Sequence, residues 1–210
     1  MFLGDHPTLD SAKVQILPNY PPQIWHATDN RAWLLEPASP LRLIYVGSLS
    51  RRDTFIAEVI DWVVENENAE LDIYCYNLDG DTREFLGSID DARVRFHAQG
   101  VDYDELPQLL SDYHVGLILY RANTPNYEFN ASNKLFEYLA VGLDVWYPVQ
   151  MKGVHPYATS TLRPRVFQVD FDDLENTLPE RLDARASLPQ NDPPTTAEEV
   201  YSVLRSHIKA

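Results

Sequence analysis

Between residues 41 and 169 the chain alternates short, mostly apolar runs with stretches of helical period, and this alternation limits the folds open to it. The runs at 41–47, 71–76, 94–97, 115–120, 143–147 and 166–169 are rich in β-branched and aromatic residues and predict six strands. Between them, residues 54–65 place Phe55, Ile56, Val59, Ile60, Val63 and Val64 at helical spacing. Residues 105–113 do the same with Leu106, Leu109 and Leu110, and residues 133–141 form a further helix closed by Gly142. Helices are also predicted over 172–182 and 197–207, the last capped by Thr195 or Thr196. Strands apolar on both faces must be covered on both faces. The pattern therefore predicts an α/β, doubly wound, mainly parallel sheet of Rossmann-like type. Ligands in such folds sit beyond the carboxyl ends of the strands, where three loops leave: 48–53, 121–132 and 148–156.

The ends of the chain read differently. Residues 1–40 hold Pro7, Pro18, Pro21, Pro22, Pro37 and Pro40 and predict an irregular arm. Within it, Val14-Gln15-Ile16-Leu17 fits an edge strand, and a turn or one short helix fits 29–35. Residues 187–194 are polar and Pro-rich and lead to the last helix. The expected organisation is an arm over 1–40, one α/β domain over 41–186, and a connection with a terminal helix over 187–210.

Charge narrows the partners. With 32 Asp and Glu against 17 Lys and Arg, the net charge is -15. A basic face for nucleic acid is not expected, nor is attraction to an anionic membrane surface. A small anionic ligand feels only the local field and stays possible. Cys75 is the sole cysteine, so no disulfide forms within the chain. No apolar run is long enough to span a bilayer, and the first residues lack a signal-peptide pattern, so a cytoplasmic location is the default expectation.

The candidate chemistry gathers at two loops and one helix. Lys134 and Glu137 are three apart and share a face near the start of the 133–141 helix. A helix N-terminus with a cation and a carboxylate suits a phosphate and a ribose, whereas the plain reading is an exposed ion pair worth a few tenths of a kcal/mol. Gly47-Ser48-Leu49-Ser50-Arg51-Arg52 follows a strand and opens a helix, so its amides and arginines suit a diphosphate. An ordinary turn with solvated arginines fits as well. The loop 121–132 is long and carries Asn123, Asn126 and Asn130, suited to sugar hydroxyls or simply to solvent. The six histidines show no metal-ligand spacing, and no nucleophile elbow is present. No metal and no cofactor are expected.

Several segments then fall in a telling order: Val46-Gly47-Ser48-Leu49; Gly100-Val101-Asp102-Tyr103-Asp104-Glu105-Leu106; Val115 to Tyr120; and Asn133-Lys134-Leu135-Phe136-Glu137-Tyr138-Leu139-Ala140-Val141-Gly142-Leu143-Asp144-Val145. Together they resemble the C-terminal, nucleotide-sugar-binding domain of GT-B glycosyltransferases, family 4-like. Ile16-Leu17-Pro18-Asn19-Tyr20-Pro21 resembles the linker that precedes that domain. The resemblance implies a metal-independent, retaining transfer of sugar from a nucleotide-diphosphate sugar to a glycan or lipid-linked acceptor in polysaccharide biosynthesis. It implies that Glu137 binds the donor ribose and that Arg51 or Arg52, with Lys134, meets the diphosphate as catalytic groups. Gly47, Ser48, Asn130, Ser132 and Asn133 are then the remaining donor-binding residues.

The chain also departs from that pattern. Eight residues before Glu137, where many members place a sugar-binding Glu, stands Phe129, with Glu128 beside it. Asp144 replaces the usual Pro, and Asn126 to Asn130 replace a Gly-rich loop. About 40 residues precede the first strand, too few for a second α/β domain, so the resemblance implies the donor-binding half of an enzyme. A non-catalytic interaction or regulatory domain of the same fold is the alternative. An unrelated doubly wound domain, flavodoxin-like, is a further one.

Overall fold

The computed structural model describes residues 8, 10, 18–28, 40–177, 188–190 and 195–208. The elements run β1 (Leu41–Val46), α1 (Ile56–Glu65), β2 (Ala69–Tyr74), α2 (Gly80–Gly87), β3 (Val94–His97), α3 (Leu106–Leu110), β4 (Val115–Leu117), α4 (Pro125–Phe129), α5 (Asn133–Val141), β5 (Asp144–Pro148), β6 (Val166–Val169), α6 (Leu174–Thr177) and α7 (Ala197–Ile208). Short 3-10 turns cover Gln23–Ala27 and His155–Tyr157. The six strands form one sheet in the order β3-β2-β1-β4-β5-β6. Every pairing is parallel. This is the Rossmann-like arrangement that the alternating pattern predicts, and it differs from the flavodoxin-like order.

Alternation along each strand splits the core. Leu43, Leu71, Ile73 and Trp146 face one side with Ile56, Val59 and Val63 of α1 and Leu86 of α2. Ile44, Val145 and Tyr147 face the other with Leu110 of α3, and Leu135, Phe136 and Tyr138 of α5. Trp25 of the arm is buried in this second cluster, and Tyr20 meets Phe136 edge-on at 4.6 Å. Helix α7 returns to the arm: Ala197 N–H donates to the Pro21 carbonyl at 3.1 Å and Gln23 N–H to Glu198 Oε2 at 2.8 Å. Thr196 and Glu199 close a reciprocal capping box at its start, at 3.0 and 3.3 Å.

Some element bounds differ from expectation for definable reasons. The strand over 115–120 leaves the ladder after Leu117, because the Leu119 carbonyl turns to accept from Phe55 N–H at 2.8 Å. The strand over 71–76 instead begins at Ala69, whose small buried side chain pairs Leu41 in register. Helix α2 had no apolar stripe to announce it. It starts at an Asp79 cap, whose carboxylate accepts from Thr82 N–H at 2.7 Å, and it buries only Thr82 and Leu86. The long loop at 121–132 holds α4, capped by Thr124 with Pro125 in its first turn. The run at 14–17 and the element expected over 29–35 lie outside the described residues, as does the end of the helix expected over 172–182.

Candidate functional site

The strand order reverses between β1 and β4: β1 leads to β2 on one side and β4 to β5 on the other. A crevice opens beyond the carboxyl ends of two such strands. Gly47 and Ser48 leave β1 there, Tyr120 to Ala122 follow β4, and α5 begins there. Gly47 has φ 128°, a conformation that L side chains rarely adopt. A Cβ at Gly47 would lie 2.8 Å from the Lys134 Nζ, so a side chain there would also displace the ammonium.

Lys134 is the centre of the arrangement. Its Nζ donates to the Tyr120 hydroxyl at 2.9 Å. The ring centroids of Tyr120 and Tyr45 lie 5.1 and 5.5 Å from the ammonium. Tyr45, wholly buried at the end of β1, donates its hydroxyl to the Ser48 carbonyl at 2.6 Å. Tyr120 also stacks on Tyr127 of α4, centroids 4.7 Å apart. Among the described residues, no carboxylate forms an ion pair with Lys134.

Glu137 sits one turn further along α5, half-buried. Burial pushes its pKa above the ordinary 4.5, with the Lys134 charge opposing that shift. No described residue hydrogen-bonds its carboxylate, so both oxygens can accept. Its charge helps raise the hydroxyl pKa of Tyr103, after desolvation of that ring. Tyr103 is half-exposed and lies against Trp25 at 4.8 Å. Ser132 is buried at the start of α5 and its side chain makes no cap hydrogen bond.

The two arginines of the first loop face elsewhere. Arg51 lays its guanidinium over Phe85 at 4.3 Å, and its backbone N–H donates to Thr82 Oγ1 at 2.9 Å. Arg52 is 88% exposed and pairs with Asp53 at 3.3 Å. Arg121 pairs with Glu58, donates to the Thr54 carbonyl at 3.1 Å and covers Phe55 at 4.2 Å. Asn123 reaches Asp53 at 3.4 Å, so the loops after β1 and β4 are laced together. Asn130 and Asn133 are exposed. Glu128 pairs with Lys152 at 2.5 Å, and Phe129 stays 55% exposed under the same ammonium at 5.6 Å. Gly153 lets the third loop press on α4: a Cβ there would lie 2.4 Å from the Phe129 carbonyl oxygen.

No protein family and no curated protein matches the chain. Among solved structures, the C-terminal domain of a glycosyl transferase group 1 family protein (LpcC) from Francisella tularensis superimposes with a TM-score of 0.52 at 10% identity. The match covers 90% of this chain and 95% of that one. The fold is that of a group 1 glycosyltransferase C-terminal domain. Among the described residues, no helix is long and apolar enough to cross a membrane.

The structure brings together Gly47, Lys134 and, one turn away, Glu137. It does not join Arg51 or Arg52 to them by any contact among the described residues. Sequence reasoning passed over Tyr45 and Tyr120 as functional groups. Both lie in apolar strand runs, where a tyrosine reads as core, and their rings meet at the Lys134 ammonium only because β1 and β4 are neighbours.

Proposed function

We propose that the chain binds a nucleotide-diphosphate sugar at the β1/β4 crevice, as the donor-binding part of a glycosyltransferase. The observation that carries this reading is the Lys134 ammonium. It stands at a helix N-terminus over Gly47 with no carboxylate partner among the described residues. The ammonium and the first amides of α5 are suited to a departing diphosphate, whose charge they would stabilise without a metal. Glu137 is suited to accept from ribose hydroxyls. Ser48, Ser132, Asn133 and Asn130 border the same ground. Arg51 and Arg52 contribute only if ligand draws them from Phe85 and Asp53. The acceptor, a glycan or a lipid-linked sugar, would be held by another domain or subunit, and retention of configuration follows only from the resemblance.

Calorimetry of the chain with nucleoside diphosphates and their sugars tests this reading, with Glu137→Ala alongside. Binding by the wild type, weakened in the variant, is expected. Absence of binding, or equal binding by the variant, rejects it. A second reading, a non-catalytic domain that binds nucleotide without transfer, draws on Glu128 being held by Lys152 and on Phe129 standing beside it. Measured sugar transfer by the complete protein would remove that reading.

A further inference from the structure

We infer that Tyr120, seconded by Tyr45, is the positioning residue that keeps the Lys134 ammonium aimed into the crevice as an anion receptor. This rests on the reading above for the identity of the ligand, but not for the existence of an anion site.

The three side chains are brought together by one hydrogen bond and two ring contacts at the ammonium. Lys134 Nζ donates to Tyr120 Oη at 2.9 Å. The Tyr45 ring lies beside the same ammonium, its centroid 5.5 Å away, and Tyr45 Oη donates to the Ser48 carbonyl at 2.6 Å. Tyr120 accepts from the lysine, and Tyr45 donates to the backbone of the loop that leaves β1, so the arrangement is anchored on that loop. The direction matters for charge. A phenol oxygen orients an ammonium without neutralising it, whereas a carboxylate would cancel it.

Neighbouring cations show the contrast. Arg52, Arg121 and Lys152 are paired with Asp53, Glu58 and Glu128. Among the described residues Lys134 forms no ion pair, and Glu137 one turn along acts on it only through its field; a half-buried ammonium so placed is costly unless an anion completes it. Two tyrosine faces and one hydroxyl hold it in the meantime, and its two remaining N–H donors stay available. An oxyanion such as pyrophosphate, or the diphosphate of a nucleotide, has the chemistry to accept them.

The test uses the full chain labelled at lysine Cε, as wild type, Tyr120→Phe and Tyr45→Phe. Inorganic pyrophosphate, a nucleoside diphosphate and a plain nucleoside serve as probes. In the wild type, pyrophosphate is expected to shift the Lys134 resonance. Tyr120→Phe removes one hydrogen bond without shortening the ring. It is expected to move the Lys134 resonance in the free protein and to weaken both phosphate ligands about three- to tenfold, leaving the nucleoside unchanged. Tyr45→Phe is expected to act in the same direction and less. A Lys134 resonance unmoved by pyrophosphate in the wild type overturns the inference. So does a Tyr120→Phe chain with wild-type resonance and affinity. If pyrophosphate shifts Lys134 but no nucleotide binds, the inference stands and the proposed function falls.

Discussion

Glu137 carries opposed demands. Burial raises its pKa because the charged form loses solvation, and the Lys134 charge recovers only part of that loss. A carboxyl whose pKa is higher in the folded than in the unfolded chain costs stability once ionised. That cost is fully present above the raised value, shrinks as pH falls from there towards the ordinary 4.5, and vanishes below it. Glu137→Gln is therefore expected to melt higher than the wild type at pH 7, with the difference closing towards pH 4. Thermal denaturation across that range checks it, and a wild-type advantage at pH 7 would contradict the assignment of strain. A residue that destabilises its own fold while presenting unused acceptors fits a ligand role better than a structural one. The choice of tyrosine at 45 and 120 follows the same logic, since both supply apolar area while the Tyr120 hydroxyl meets Lys134 and the Tyr45 hydroxyl fixes the Ser48 carbonyl.

At the scale of elements, the site depends on how closely α5 lies on β4. Gly116, between Val115 and Leu117 of β4, meets the face of Tyr138, and a Cβ there would lie 2.3 Å from that ring. Tyr138 is buried and donates its hydroxyl to the Leu117 carbonyl at 3.3 Å. Gly116→Ala is expected to lift α5 from the sheet, costing about 1–3 kcal/mol by overpacking. Because Lys134 and Glu137 ride on the same helix, nucleotide affinity should fall with it. Chemical denaturation and calorimetry on one preparation check both effects. Helix α5 and strand β3 were legible in the sequence with the bounds the structure has, since each couples a clear period to a clear stop. Helix α2 was not, because Gly80 to Arg83 are polar or small and its one local signal, Asp79 three residues before Thr82, is also a turn signal.

Across the whole molecule, one departure from the pattern that the sequence resembles finds its explanation far from the crevice. Asp144, in the place of a proline, begins the inner strand β5 at its amino end, opposite the crevice, and is wholly buried. Its carboxylate accepts from the Arg165 backbone N–H at 2.8 Å and from Nε at 2.7 Å, which ties β5 to the approach of β6. Asp144→Ala would take a buried guanidinium's carboxylate away and is expected to cost about 3–5 kcal/mol, whereas Asp144→Leu with Arg165→Met should cost far less. Denaturation curves of both variants decide this. Affinity for nucleotide in the folded fraction should change in neither, since the pair lies at the end of the sheet away from Lys134.

The alternation of apolar strands with helical periods determined by itself that this chain builds a parallel sheet covered on both faces. The spacing of Lys134 and Glu137 determined that they share one helical face. Those are local properties, carried by residues within a turn or a strand of each other. Tertiary structure alone decided the strand order, and with it the meeting of Tyr45, Tyr120 and Lys134 over Gly47. It also decided that Arg51 turns to Phe85 and Arg52 to Asp53. Such contacts join residues distant in sequence or choose among nearby partners by packing and charge, and no period along the chain records that choice.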